Sequence, residues 1–176
     1  NLLKETAQKM VAHGKGILAA DESHPTCGKR FEALGIENTP ENRRIYRQMF
    51  FNSPDVEKYI SGVILFDETL KQLDDSGNPF PKNLTDKGMV PGIKVDTGAK
   101  ELAGFPGEKV TEGLDGLRDR LAEYFERGAR FAKWRAVITI GDNMPSEACY
   151  MANAHALARY ARLCQEASIV PIVAPE

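Results

Sequence analysis

Short apolar runs alternate along the chain with longer amphipathic stretches, and five of the runs end near a carboxylate. Ile17–Ala20 leads into Asp21, Val63–Phe66 into Asp67, Val90–Val95 into Asp96, Phe131–Ile140 into Asp142 and Ile169–Val173 into Glu176. Unbroken runs rich in Val and Ile fit strands covered on both faces, as in a parallel sheet. The pattern predicts strands near residues 16–21, 60–67, 89–96, 131–140 and 169–174. Thr39 and Pro40 form an N-cap and first-turn pair for a helix through Met49. Leu114, Leu117, Leu121 and Phe125 share one helical face, and Gly128 stops that helix. Pro145 opens a further long helix, with Met151, Ala154, Ala158 and Ala161 as its buried stripe. Strand alternating with helix predicts right-handed βαβ units. Residues 74–88 and 98–113, with their Gly, Pro and Asp, read as irregular surface excursions.

Composition bounds the function classes. A length of 176 residues suits one domain, and 42% apolar residues suffice for a core. Lys plus Arg number 23 against 25 Asp plus Glu, for a net charge of -2, so no basic excess favours a nucleic-acid partner. No apolar run approaches the ~18–20 residues of a membrane helix. The first ten residues lack the apolar stretch and cleavage site of a secretory signal, and the absence of an initial Met predicts a missing upstream segment. Cys27, Cys149 and Cys164 are an odd number at wide spacing, which predicts free thiols in a reducing compartment. His13, His24 and His155 show no ligand spacing, so neither a metal nor another cofactor is expected.

In βα architectures the reactive groups gather at the carboxyl ends of the strands. Asp21, Asp67, Asp96 and Glu176 fall there. Lys94 and Asp96 are two residues apart and share a strand face, as do Lys133 and Arg135. Clustered cations bind anionic substrates and lower the pKa of a neighbouring amine, which prepares it to attack a carbonyl; carboxylates beside them move protons. Carbon chemistry on an anionic carbonyl compound is the expectation, with Lys133 the first candidate for an imine-forming lysine. Taken singly, each of these residues has a commoner structural role, a snorkelling lysine or a helix-capping aspartate. For Asp67, followed by Glu68 and Thr69, that structural role is the expectation. For Asp21, Lys94, Asp96, Lys133 and Arg135 together, one shared architecture outweighs coincidence. Trp134, Cys149, Cys164 and His155 are expected to pack, and His24 is a weak candidate for the mouth.

Gly16–Ser23 with Gly28–Phe31 closely resembles the first barrel strand and following loop of class I fructose-bisphosphate aldolases. Glu41–Arg44 with Tyr46–Gln48, Gly92–Asp96, Gly113–Leu117, Phe131–Arg135 and Ile169–Val173 resemble later family segments in the same order. The resemblance implies an α/β fold, a (β/α)8 TIM barrel of which this chain supplies about the first five strands. It implies reversible cleavage of fructose 1,6-bisphosphate into dihydroxyacetone phosphate and glyceraldehyde 3-phosphate through a lysine imine. It further implies no metal, a cytoplasmic setting and a homo-oligomer, commonly a tetramer. By position, Asp21 matches the acid that handles the substrate hydroxyl and carbinolamine. Lys133 matches a cation beside the nucleophile, which displaces it as the imine candidate. Lys94 and Arg135 match phosphate- and substrate-binding cations, and Asp96 matches a strand-end acid. Arg30, Ser23 and Thr26 match the loop bordering the phosphate path, and Glu176 the second acid after the fifth strand.

The chain departs from the family in three ways. A complete barrel needs about 250 residues, so five strands do not close it, and the family's imine lysine belongs to a sixth strand. The 176 residues alone are therefore expected to be inactive. Ala174 stands where the family has a glutamate that helps dehydrate the carbinolamine, and a methyl group transfers no proton. Ser23–Cys27 replaces a smaller, glycine-containing loop, which alters access to the mouth. Thr97, where many members carry lysine, reads as a tolerated change. The alternatives are a non-catalytic binding scaffold or an aldolase for another phosphorylated ketose.

Overall fold

In the computed structural model, which describes residues 1–176, the apolar runs pair side by side as five parallel strands. In chain order the elements begin with α1 (Leu2–Met10), β1 (Gly16–Ala20), α2 (His24–Glu32), α3 (Pro40–Phe51), α4 (Val56–Tyr59), β2 (Ile60–Leu65) and α5 (Asp67–Lys71). They continue with α6 (Phe80–Asp86), β3 (Val90–Lys94), β4 (Gly98–Glu101), β5 (Lys109–Glu112), α7 (Leu117–Glu126), β6 (Phe131–Ala136), α8 (Glu147–Glu166) and β7 (Val170–Pro175). The main sheet runs β1-β2-β3-β6-β7, and β4 with β5 forms a separate antiparallel hairpin. The sheet curls into half a barrel, with helices on its convex face.

Strand alternation sorts the residues. Val63, Leu65, Ile93, Val95, Ala132, Trp134 and Ala136 point outward and are buried with Leu117, Leu121, Tyr160 and Cys164 of the helices. Each large side chain among them contributes roughly 1.5–3 kcal/mol by leaving water. The opposite parity faces inward. Below the mouth it carries Ile64, Val90 and Phe131, which pack with Met10 and are flanked by Ile17, Val170 and Ile172. The Phe131 ring lies across the bare faces of Gly62 and Gly92; a Cβ on Gly92 would come within 2.3 Å of it. Tyr160 is wholly buried, and its hydroxyl reaches the carbonyls of Ala132 (2.8 Å) and Ile172 (3.0 Å), tying β6 to β7.

Several local expectations hold. Thr39 caps α3 by accepting from the Asn42 amide at 3.1 Å, and Gly128 follows α7 with φ +107°. Trp134, Cys149 and Cys164 are buried, and the three thiols are free. Others fail for identifiable reasons. The strand expected over 131–140 ends at Ala136, opposite Pro175, with one further backbone bond from the Ile138 amide to the Glu176 carbonyl, despite the β-branched residues beyond. The stretch 74–88 is irregular only at first: Asp74 closes that loop by accepting from the Ser76 and Asn78 amides, both at 2.9 Å. Residues 80–86 form α6, drawn into a helix by Phe80 packing edge-on against Phe51. The stretch 98–113 holds the β4–β5 hairpin, whose connection uses Gly104 and Gly107 at φ +83°. It is anchored by Thr111, which donates through its hydroxyl to the Arg135 carbonyl at 2.7 Å. The buried stripe of α8 is Cys149, Asn153, Ala156, Leu157, Tyr160 and Cys164 rather than the alanine-based stripe. The bulk of Leu157 and Tyr160 chose the face, leaving Met151, Ala154, Ala158 and His155 exposed.

Substituting Gly92→Ala is expected to destabilise the fold by about 1–3 kcal/mol through overpacking. Phe131→Ala should cost about 3–5 kcal/mol through the void it leaves. Urea unfolding monitored by circular dichroism checks both.

Candidate active site

The inward parity that is apolar below the mouth becomes charged at the carboxyl ends of the strands. Lys94 of β3 sits in register with Lys133 of β6, and Lys133 with Ile172 of β7. Asp21 follows β1 directly and is nearly buried; its carboxylate faces the Lys133 ammonium at 3.4 Å. The Lys94 ammonium is ion-paired with Asp96, two residues along the same face. The Asp96 carboxylate also accepts from the backbone amides of Arg135 and Gly98, both at 3.2 Å, which fixes it between β6 and the hairpin. Arg135 extends from the same face of β6 and donates through Nε to Glu176 at 2.5 Å. Side chains from the ends of β1, β3 and β6 thus meet on one wall.

That wall bounds a cavity of about 970 Å³ at the mouth of the half-barrel. Asp21, Lys94, Asp96, Lys133 and Arg135 line it, as do Ser23 at the N-cap of α2 and Thr26 in its first turn. The hydroxyls of Ser23 and Thr26 lie 3.1 Å apart. Two sequence candidates stand off the wall. Arg30, on α2, is bonded to Glu22 and to the Tyr46 hydroxyl at 2.7 Å, away from the cavity lining. Glu176 touches it only through Arg135. Ala174 lies in register with Arg135, and its parity with Ile172 and Glu176 turns its methyl inward. Asp67 does not cap α5 as expected: Phe66 holds the cap position, and Asp67, the first residue of α5, accepts from the Tyr124 hydroxyl at 2.9 Å and lines the cavity as well. Burial, with that carboxylate beside it, pushes the Tyr124 hydroxyl up to about 12.

Behind the cavity wall a polar clamp joins α3 to α5. Arg43 of α3 grips Glu68 with two bonds of 2.7 Å and also reaches the Asn38 side chain at 2.7 Å. The imidazole of His24 lies 3.3 Å from the same Glu68, which gives His24 a place in the clamp rather than on the wall. Hydrogen bonds from Arg43 hold the Glu68 carboxyl below its ordinary value, against the opposing effect of burial. Ser23–Cys27 is not a free loop: α2 begins at His24.

Sequence reasoning overlooked Arg120. From α7 it donates to the carbonyls of Val95 (3.0 Å) and Gly113 (2.6 Å) and lines the cavity. Lys71 and Lys100 line it as well. All three read in sequence as ordinary polar positions of a helix or hairpin face, and no spacing signal separates them from solvated neighbours. No group of three or more His, Cys, Asp or Glu side chains is placed to hold a metal ion, and no helix is long and apolar enough to cross a membrane.

A Glu68→Gln substitution should flatten the acid limb of stability. The folded carboxyl titrates below its ordinary 4.5, so the folded chain binds fewer protons between those values. The stabilisation is complete above the unfolded value and is lost as pH falls through the folded one. Thermal melts from pH 3 to pH 7 measure the difference between parent and variant.

Comparison with known proteins accords with this geometry. Residues 2–176 match the family described as glycolytic class-I fructose-bisphosphate aldolase. A probable fructose-bisphosphate aldolase class 1 of Xanthomonas campestris pv. campestris is 64% identical over 174 residues, covering 99% of this chain and 52% of the relative. Human fructose-bisphosphate aldolase C is 55% identical over 175 residues, covering 99% of this chain and 48% of that protein. A solved structure of fructose-bisphosphate aldolase from Plasmodium falciparum, in complex with TRAP and a small-molecule inhibitor, superposes with a TM-score of 0.96 at 48% identity. It covers 99% of this chain and 51% of its own. The chain spans about half the length of the relatives it matches, and it belongs to the class I fructose-bisphosphate aldolase family.

Proposed function

We propose that this chain supplies the first five strands of an aldolase barrel. Its mouth then serves the reversible cleavage of fructose 1,6-bisphosphate into dihydroxyacetone phosphate and glyceraldehyde 3-phosphate. The observation that carries the reading is the single wall bearing Lys94, Lys133 and Arg135 with Asp21 and Asp96. Three cations suit an ionised phosphate, and carboxylates among them suit the movement of hydroxyl protons.

In this reading the imine-forming amine comes from a strand outside residues 1–176. It attacks the C2 ketone of the open-chain sugar, and loss of water gives a protonated imine. The C4 hydroxyl then loses its proton, the C3–C4 bond breaks, and the bonding pair runs into the imine instead of forming a free carbanion. Protonation of the resulting enamine at C3 and hydrolysis release dihydroxyacetone phosphate. Lys133 is the cation beside the amine, and Asp21, which it faces, handles the carbinolamine and a substrate hydroxyl. Lys94 and Arg135 hold phosphate, with Asp96 orienting Lys94. Ser23, Thr26 and Arg30 border the phosphate path, and Glu176 is the second acid. The scheme uses no metal or organic cofactor. A cytoplasmic homo-oligomer is part of the same proposal.

Ala174 favours a second reading. Its methyl occupies the inward position where the resemblance implies a proton-transferring glutamate, as a scaffold that had lost its chemistry would show.

Borohydride reduction of the full-length chain with dihydroxyacetone phosphate separates the two: the enzyme gives a covalent adduct, the scaffold none. Residues 1–176 alone are expected to release no triose phosphate. In the full-length chain, Lys94→Met should raise KM for the bisphosphate roughly 10- to 100-fold, the cost of a lost charged hydrogen bond. Ala174→Glu should raise kcat if carbinolamine dehydration limits turnover. Steady-state kinetics on the bisphosphate and the monophosphate check both variants and decide substrate preference.

A further inference from the structure

We propose that Arg47 is a positioning residue for the reaction: from outside the sheet it sets the direction of Asp21. The inference rests on the proposed function of the mouth.

Arg47 lies on α3 and is 1% exposed. Its guanidinium uses separate nitrogens on the two residues that flank Asp21. Nε donates to the Ala20 carbonyl and Nη2 to the Glu22 carbonyl, each at 2.7 Å. Nη1 donates to Cys27 Sγ at 3.0 Å, and the Glu22 carboxylate lies 3.2 Å from Nη2. These two carbonyls bracket the short segment that holds the Cα atoms of Asp21 and Glu22, so the backbone torsions of both residues are constrained together. β1 ends at Ala20, and beyond it no neighbouring strand holds the chain. The bracket therefore replaces the sheet ladder where the proposed acid leaves the strand. The contact with Cys27 ties the first turns of α2, which carry Thr26, to the same guanidinium.

A lysine cannot substitute here. The guanidinium presents a rigid planar fork able to reach both carbonyls, whereas an ammonium is a point donor on a flexible stem. The same helix supplies a control. Arg43 is 6% exposed and spends its fork on Glu68 and Asn38, not on the strand end. Loss of either fork weakens the fold, but only loss of the Arg47 fork frees the residue that faces Lys133.

The test compares Arg47→Lys with Arg43→Lys in the full-length chain. Arg47→Lys is expected to lower kcat on the order of 10- to 100-fold, as a misplaced reacting group does, with KM little changed. Arg43→Lys is expected to lower thermal stability comparably while keeping kcat close to the parent's. Amide hydrogen exchange gives a readout that needs no turnover: protection of the Cys27 amide, which donates to the Ser23 carbonyl, and of the α2 amides that follow it should fall in Arg47→Lys and persist in Arg43→Lys. Equal kcat losses in both variants, a loss confined to KM, or unchanged exchange in Arg47→Lys would overturn the proposal. A parent chain that forms no imine and cleaves no sugar would overturn the proposed function instead, and the exchange comparison would still decide whether Arg47 holds the Asp21 segment.

Discussion

The two-residue repeat of the β-strand, kept in step across five parallel strands, is the constraint on which the molecule depends. Odd positions of β1 and β6 and even positions of β2, β3 and β7 share the inner face. A slip of one residue in any strand would exchange the inner and outer sets, placing a lysine under a helix or a tryptophan in the mouth. Both outcomes bury or expose the wrong group at a cost of several kcal/mol. The register is thus specified by the burial of Leu65, Ile93 and Trp134 on one side and by the charges of Asp21, Lys94 and Lys133 on the other.

Along each strand the inner face is graded. Phe131 packs with Ile64 and Val90 in the lower layer, and Gly62 and Gly92 leave room for its ring. One step further on, Lys94 and Lys133 stand in register. Apolar packing below gives the charged groups above a firm floor, and their partners keep them from collapsing onto one another. Lys133 has Asp21, Lys94 has Asp96, and Arg135 has Glu176. Neighbouring cations at the rim are tolerable because each has a carboxylate at contact distance.

The carboxyl ends of the strands are also where the sheet's own hydrogen bonds run out. Helices supply the replacements from behind. Arg47 of α3 serves the end of β1 and Arg120 of α7 the end of β3, while Tyr160 of α8 ties β6 to β7 further down the strands. In each case a side chain long enough to span the helix–sheet layer donates to a carbonyl beside a residue of the wall. Burying such groups is tolerable only when they are hydrogen-bonded, and Arg47 and Tyr160 are nearly or wholly enclosed. Packing and site geometry are therefore one problem here: the helices that cover the sheet also aim its charges.

Strand positions, parallel pairing and the common face of Lys94 with Asp96 and of Lys133 with Arg135 were legible in the sequence, because apolar runs and two-residue spacing are local properties. So were the cap at Thr39 and the stop at Gly128. The resemblance of Gly16–Ser23 and Phe131–Arg135 to a known family supplied chemistry that periodicity does not carry. Other features answer to partners distant in the chain. The burial face of α8 followed the bulk of Leu157 and Tyr160 against the sheet, and α6 formed where Phe80 met Phe51. Residues 98–113 became a hairpin because Thr111 found the Arg135 carbonyl and Asn153. Arg47 and Arg120 look like any polar helix residue until the layers close. Local patterning determined which residues could share a face; only the assembled layers decided which faces met, since burial and hydrogen bonding between remote segments have no one-dimensional signature.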